Sequence, residues 1–228
     1  MREIVFDTET TGLDPVQGHR LVEIGCVELL NRFPTGKTFH RYLNPERDMP
    51  VEAFNVHGLA IEFLKEHPLF VAVADEFLDF VGDAPLVAHN GYFDLNFINS
   101  ELERAQKPVF ARDRIVDTLM LARRKHPGGS NRLDDLCARY RIDNSRRTKH
   151  GALLDAELLA EVYVELIGAR QAMLGLAAAG AEAMLDGAGL SLRVRPAPLA
   201  PRGSDVERLA HEAFVGTLGE KSIWQDYR

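Results

Sequence analysis

Four acids and one histidine in this chain stand where their charge needs a counterpart. The first two, Asp7 and Glu9, lie in "IVFDTETTGLD", directly after the apolar run Ile4, Val5 and Phe6. A carboxylate that follows a buried strand is costly unless a cation, a metal or the open end of a sheet compensates it. Strand side chains alternate faces, so Asp7 and Glu9 project from one side, about 6.5–7 Å apart. Carboxylates at that reach share or bridge divalent metal ions, whose hard preference is for oxygen. The plain alternative is a strand end with solvated acids. Thr8, Thr10, Thr11 and Gly12 follow at once and favour a turn that exposes the pair.

Asp94 lies in "HNGYFD", where His89, Asn90 and Gly91 close a short apolar strand. Alone it would be an acid favouring a helix N-terminus. The end of a buried strand is also where open α/β sheets place ligands. His150 and Asp155, in "HGALLDA", are five residues apart, roughly 140° around a continuous helix. They reach one site only if His150 lies in the loop before the helix, which Gly151 and the polar "NSRRTKH" allow. For this pair alone, a surface histidine and a helix-starting acid are an equal reading.

Bringing these residues together requires particular elements. Residues 3–9, 21–30 and 35–45 read as strands, the second and third joined by a turn at Pro34-Thr35-Gly36, which makes an antiparallel meander. Helical spacing runs over 70–82 and 92–106, and 84–90 and 114–118 read as short strands. Asn131 is placed to cap a helix over 132–142, and a long helix runs from about 153 to 167. The expectation is an α/β domain with a mixed sheet, its first three strands antiparallel and flanked by helices. We expect this domain to span 1–169, a linker rich in Ala and Gly to span 170–190, and a C-terminal partner-binding segment to span 191–228.

Composition narrows the function classes. Of 228 residues, 46% are hydrophobic and 27% charged, an ordinary globular balance. Only Cys26 and Cys137 occur, too few for a disulfide framework or a cysteine zinc site, so a reduced, cytoplasmic setting is expected. Arg2, Glu3 and Asp7 occupy the place of a signal peptide's apolar core, and no membrane span is expected. A net charge of -7 argues against nucleic-acid binding by phosphate neutralisation alone, although bound divalent ions add charge that composition omits. Basic residues crowd one stretch, Arg123, Arg124, Lys125, Arg132, Arg139, Arg141, Arg146, Arg147 and Lys149. It reads either as a solvated face or as a rim facing phosphates.

"FDTETTGLD", "HNGYFD" and "HGALLDA", in this order, resemble the three motifs of the Asp-Glu-Asp-Asp-His 3′–5′ exonucleases. The likeness covers roughly residues 3–168. It implies a ribonuclease-H-like fold and phosphodiester hydrolysis that releases 5′-monophosphates. It also implies two Mg²⁺ or Mn²⁺ ions held by Asp7, Glu9, Asp94 and Asp155, with His150 as general base. Thr8, Thr10 and Leu13 would grip the terminal nucleotide, Leu13 as an apolar wedge, with His57, His89 and Phe93 around it. For the two histidines a structural role is an equal reading, as is a core role for Phe93. Asp117 is assigned to structure, and His19, His40, His67, His126 and His211 to the surface.

The chain past residue 168 separates branches of that family. "QAMLGL" is similar to peptides that dock polymerase components on the sliding clamp, with Gln171, Leu174 and Leu176 as anchors. "LSLRVRPAP" and "ERLAHEAFVGTLGEKSIWQDYR" resemble the C-terminal segment of the proofreading subunits of bacterial DNA polymerase III. That segment binds the polymerase alpha subunit, and Trp224 lies in its apolar end. The resemblance implies three partners: the polymerase III alpha subunit, the sliding clamp and a DNA 3′ end. A stand-alone trimmer of RNA ends lacks a need for such a tail. A catalytically idle adaptor between clamp and polymerase lacks a need for five intact site residues.

Overall fold

Strand β1 (Arg2–Thr10) is the middle of a five-stranded sheet in order β3-β2-β1-β4-β5. The computed structural model describes residues 1–147, 149–168 and 204–218. β2 (Leu21–Leu30) and β3 (Phe33–Tyr42) run antiparallel to β1 and to each other, the expected meander. β4 (Leu86–Ala88) and β5 (Ile115–Asp117) are parallel to β1 on its other side. The sheet is therefore mixed.

Its two faces are written in the alternation of each strand. Ile4 and Phe6, with Ile24, Cys26, Leu86 and Ala88, pack under α3 (Phe70–Val81) and α4 (Tyr92–Arg104). Val5, with Val27, Leu29 and Val87, packs under α7 (Ala152–Leu166). Each large apolar side chain so buried contributes about 1.5–3 kcal/mol. α5 (Thr118–Lys125) and α6 (Leu133–Tyr140) extend the second layer through Ala122, Leu136 and Cys137 against Leu158 and Val162. α1 (Val51–His57) and the short α2 (Ile61–Leu64) bridge β3 to α3. Cys26 and Cys137 are buried free thiols.

Two expectations are corrected. The hairpin between β2 and β3 turns at Asn31 and Arg32, with φ of 52° and 75°, and not at Pro34-Thr35-Gly36. Two consecutive left-handed residues match the twist of the strands they join. Pro34 instead lies within β3, where an edge strand tolerates the missing N–H. Asn131 does not cap α6: the residue before the helix is Arg132, with no side-chain cap. The Asn131 amide is committed to the carbonyls of Gly129 at 2.9 Å and His126 at 3.4 Å, closing the preceding loop.

The chain divides into two compact units, Met1–Met173 and Leu174–Arg228. In the second, α8 (Asp205–Thr217) starts with a capping box in which the Ser204 hydroxyl accepts from the Glu207 N–H and the Glu207 carboxylate accepts from the Ser204 N–H. Gln171, Leu174, Leu176 and Trp224 lie outside the described residues. No helix among the described residues is long and apolar enough to cross a membrane.

Candidate metal centre

Asp7 and Glu9 lie on the face of β1 that α7 covers. Asp7 stands directly across from Gly25 of β2, and a Cβ on Gly25 would come within 2.2 Å of the Leu153 backbone nitrogen. The missing side chain lets the first turn of α7 lie on the strand. His150 is in the loop before that turn, Gly151 is its N-cap, and Asp155 follows one turn in. Asp94 arrives from beyond β4 in the first turn of α4, and the Thr8 hydroxyl donates to its Oδ1 at 2.6 Å. The five expected residues thus come from three segments, β1, the start of α4 and the start of α7 with its preceding loop, to one end of the sheet.

Glu9, His150 and Asp155 bring ligand atoms within 4.8 Å of one another, the one such group among the described residues. Oxygen donors with a single imidazole suit a hard or borderline divalent ion. The electrostatics fit a cation as well. Burial pushes the Asp7 carboxyl well above the ordinary range, and the charges of Asp94, Glu9 and Asp155 push it further. Glu9 rises from 4.5 to about 8 through burial, then Glu23, which stands opposite it in β2, and the other acids. Asp94 rises from 3.8 to about 7, chiefly by burial, against the lowering hydrogen bond from Thr8. These acids cannot all ionise in so small a volume without a cation among them.

Asp155 behaves oppositely. Burial would raise it, but hydrogen bonds from His150 and Arg147 hold it below the ordinary range. Arg147 makes a fork, Nε to Oδ1 at 2.5 Å and Nη2 to Oδ2 at 2.7 Å, while Nη1 reaches Asp134 at 2.6 Å. The same Nη2 donates to His150 Nδ1 at 2.7 Å. A guanidinium only donates, so neutral His150 Nδ1 accepts from it, whereas protonated Nδ1 donates instead to Asp155 Oδ2, 3.2 Å away. Arg147 therefore competes with a metal ion for Asp155 and with a proton for His150. In the sequence it was one basic residue in a basic run. Its signal was the polar loop that carries His150.

Leu13, 84% exposed, stands with Val56, Phe93, His57, Thr8 and Thr10 around a cavity of about 570 Å³ that opens from Glu9. Thr10 donates to the Gly12 carbonyl at 2.6 Å and shapes that loop. Phe93 serves both its expected readings: it lines the cavity and packs on Phe97, with ring centroids 5.1 Å apart. His57 Nδ1 accepts from the Leu59 N–H, and the buried Nε2 faces the Thr10 backbone without a well-formed hydrogen bond. Burial keeps this imidazole below its ordinary pKa.

His89 is different. Both its nitrogens are 2.9 Å from protein partners, Thr118 Oγ1 and the Asn131 carbonyl, so it ties the 126–131 loop to the end of β4. Asp117 accepts from the Leu119 and Asn90 N–H groups, a structural cap as assigned. The surface assignment of the remaining histidines is corrected at four positions. His19, His40 and His126 are half-buried against Thr11, Glu23 and Tyr140, and His67 packs on Phe63.

Residues 4–163 match the exonuclease family called RNase T. The DNA polymerase III subunit epsilon of Rickettsia felis is 55% identical over 174 residues, 75% of this chain and 76% of that protein. The DNA polymerase III subunit epsilon of Escherichia coli K12 is 43% identical over 237 residues, 98% of this chain and 97% of that one. Among solved structures, the nuclease domain of 3′hExo, a DEDDh family member bound to rAMP, superposes with a TM-score of 0.60 at 18% identity, over 74% of this chain and 92% of that one. That last likeness is one of fold.

Proposed function

The chain belongs to the exonuclease (RNase T) family, and from that premise we propose that it is the 3′–5′ proofreading exonuclease, subunit epsilon, of a bacterial-type DNA polymerase III. The observation that carries the enzymatic reading is the convergence of Asp7, Glu9, Asp94, Asp155 and His150 at one end of the sheet, with acids whose burial and mutual charge call for a cation. The polymerase assignment rests on the 43% identity to the Escherichia coli subunit across 98% of the chain, C-terminal segment included.

Asp7, Glu9, Asp94 and Asp155 would hold two divalent cations, Mg²⁺ or Mn²⁺. Bound there, such ions generate a nucleophile from water near neutral pH and stabilise charge on the attacking and departing oxygens. The Thr8 hydroxyl and nearby backbone N–H groups hold the Asp94 carboxylate in place. His150, released from Arg147, takes the proton of the attacking water at the nitrogen that now faces Arg147. Leu13, Val56 and Phe93 offer apolar walls to the terminal base, and His57 would contact the nucleotide from the floor of the same cavity. The products are 5′-monophosphates.

The C-terminal segment 191–228 would bind the polymerase alpha subunit, and Gln171, Leu174 and Leu176 the sliding clamp, which makes the protein cytoplasmic with its polymerase. A stand-alone RNA-end trimmer is the second enzymatic reading. The relatives' names favour DNA over that reading. The test is incubation with Mg²⁺ and a 3′-mispaired DNA primer beside the same sequence in RNA. We expect release of deoxynucleoside 5′-monophosphates. No release from either strand, with Mn²⁺ also supplied, overturns the enzymatic reading, and a preference for RNA overturns the polymerase one.

A further inference from the structure

Two cavities open from the carboxylates, and they differ in chemistry. The first is the one beside Glu9 with its walls of Leu13, Val56 and Phe93. The second, about 900 Å³, opens from Asp7, His150 and Asp155 and runs between the ends of α5 and α6. Its walls are Arg123, Arg132 and the loop Gly128-Gly129 to Asn131. A nucleic-acid strand has two aspects of opposite preference, bases that bury on apolar surface and phosphates that need cations. One cavity suits the first aspect, the other the second.

The cations of the second cavity are available. Arg123 and Arg132 are exposed, and neither takes part in a hydrogen bond or ion pair among the described residues. Arg147, in the same wall, is different: Asp155 and Asp134 neutralise it. That pairing also offsets part of the charge of Asp134, which lies farther along the same wall than Asp7 and Asp155 at its mouth. The loop between the two arginines is held, because the Asn131 carbonyl accepts from His89 while the Asn131 amide donates to Gly129. The free guanidinium groups therefore stand on a fixed wall.

We propose that this second cleft is the track of the strand leading into the site, where Arg123 and Arg132 hold backbone phosphates of the nucleotides preceding the 3′-terminal one. The proposal rests on the nuclease reading above and adds the direction of the strand: terminal base toward Leu13 and Phe93, preceding phosphates toward α5 and α6. A substrate with several nucleotides engages both cavities. A substrate with one phosphodiester engages only the first.

The experiment compares the full chain with Arg123→Gln, Arg132→Gln and the double variant on two substrates. One is a single-stranded DNA oligonucleotide. The other is the p-nitrophenyl ester of thymidine 5′-monophosphate, which has no preceding nucleotide. Each substitution should lower the oligonucleotide-to-ester ratio of kcat/KM several-fold, through the KM of the oligonucleotide. Binding of a labelled oligonucleotide, read by fluorescence anisotropy in Ca²⁺, should lose about 0.7 from its log–log salt slope per arginine removed. Arg132→Lys should restore the slope. Equal loss on both substrates, or an unaltered salt slope, overturns the proposal. Absent turnover of both substrates by the unsubstituted chain would sink the nuclease reading instead, while the binding arm still tests the arginines.

Discussion

At the scale of single residues, the site is a set of acids raised first by burial and then by neighbouring charges, with one exception. Glu9 keeps its proton to about pH 8 and Asp94 to about pH 7, whereas in the unfolded chain these groups titrate near 4.5 and 3.8. Between those limits the folded metal-free protein binds protons that the unfolded chain has released. Stability must then fall as pH rises across that window. Asp155 has the opposite sign, and its contribution disappears only as acid takes the pH below the ordinary carboxylate range. Thermal melting in EDTA should give a lower midpoint near pH 8 than near pH 5.5. Mg²⁺ should raise the midpoint more near pH 8, since binding must displace the retained protons. A metal-free midpoint that climbs steadily over that range would contradict the arrangement. The same contrast separates two substitutions. Asp7→Asn removes a repelled charge and should raise the midpoint in EDTA. Asp155→Asn breaks the Arg147 fork and should lower it. Both should abolish primer digestion, and melting curves that move in the same direction would show the repulsion to be misassigned.

At the scale of elements, Gly25 decides whether the pieces meet. It pairs with Asp7, and the α7 backbone rests where its side chain would be, at 2.2–2.4 Å. Gly25→Ala must push α7 away from β2, carrying Asp155 and His150 with it. Overpacking of this kind costs about 1–3 kcal/mol, and here backbone rather than a flexible side chain must give. The expected result is a lowered melting midpoint together with loss of activity that saturating Mn²⁺ does not restore, and a fully active Gly25→Ala protein would refute the contact. Such a contact shows why parts of the fold were legible in sequence and others were not. Asp7, Glu9, Asp94, Asp155 and His150 were legible because each sits at a strand end or a helix start that local pattern marks. The turn at Asn31-Arg32 was not, because Pro34-Gly36 carried the stronger local signal while the strand twist chose the left-handed pair. Arg147 was hidden for a similar reason: its partners are 8 and 13 residues away in the chain, across a loop and a helix. Gly25 itself was readable as a glycine within a strand, a mark of close approach, but not as the place where a distant helix lands.

At the scale of the whole molecule, the net charge of -7 has to be reconciled with work on a polyanion. Divalent ions at the carboxylates and the two unpaired arginines of the second cleft offset it only locally. A chain of this charge, with few cations facing the phosphates, meets DNA weakly by itself. Attachment to a polymerase changes the problem, because a tethered nuclease meets the primer end at a high effective concentration without binding tightly. The unit Met1–Met173 contains every residue assigned to chemistry, and the unit Leu174–Arg228 contains none of them. Catalysis and delivery should therefore separate by truncation. A chain ending at residue 176 should digest a mispaired primer in free solution as the full chain does. Adding the polymerase alpha subunit should accelerate only the full chain, and the acceleration should persist at salt concentrations that suppress the free enzyme. Initial rates for both chains, with and without alpha across a salt series, decide the matter. If the truncated chain is stimulated equally, delivery resides in the nuclease unit, and the C-terminal segment has another role.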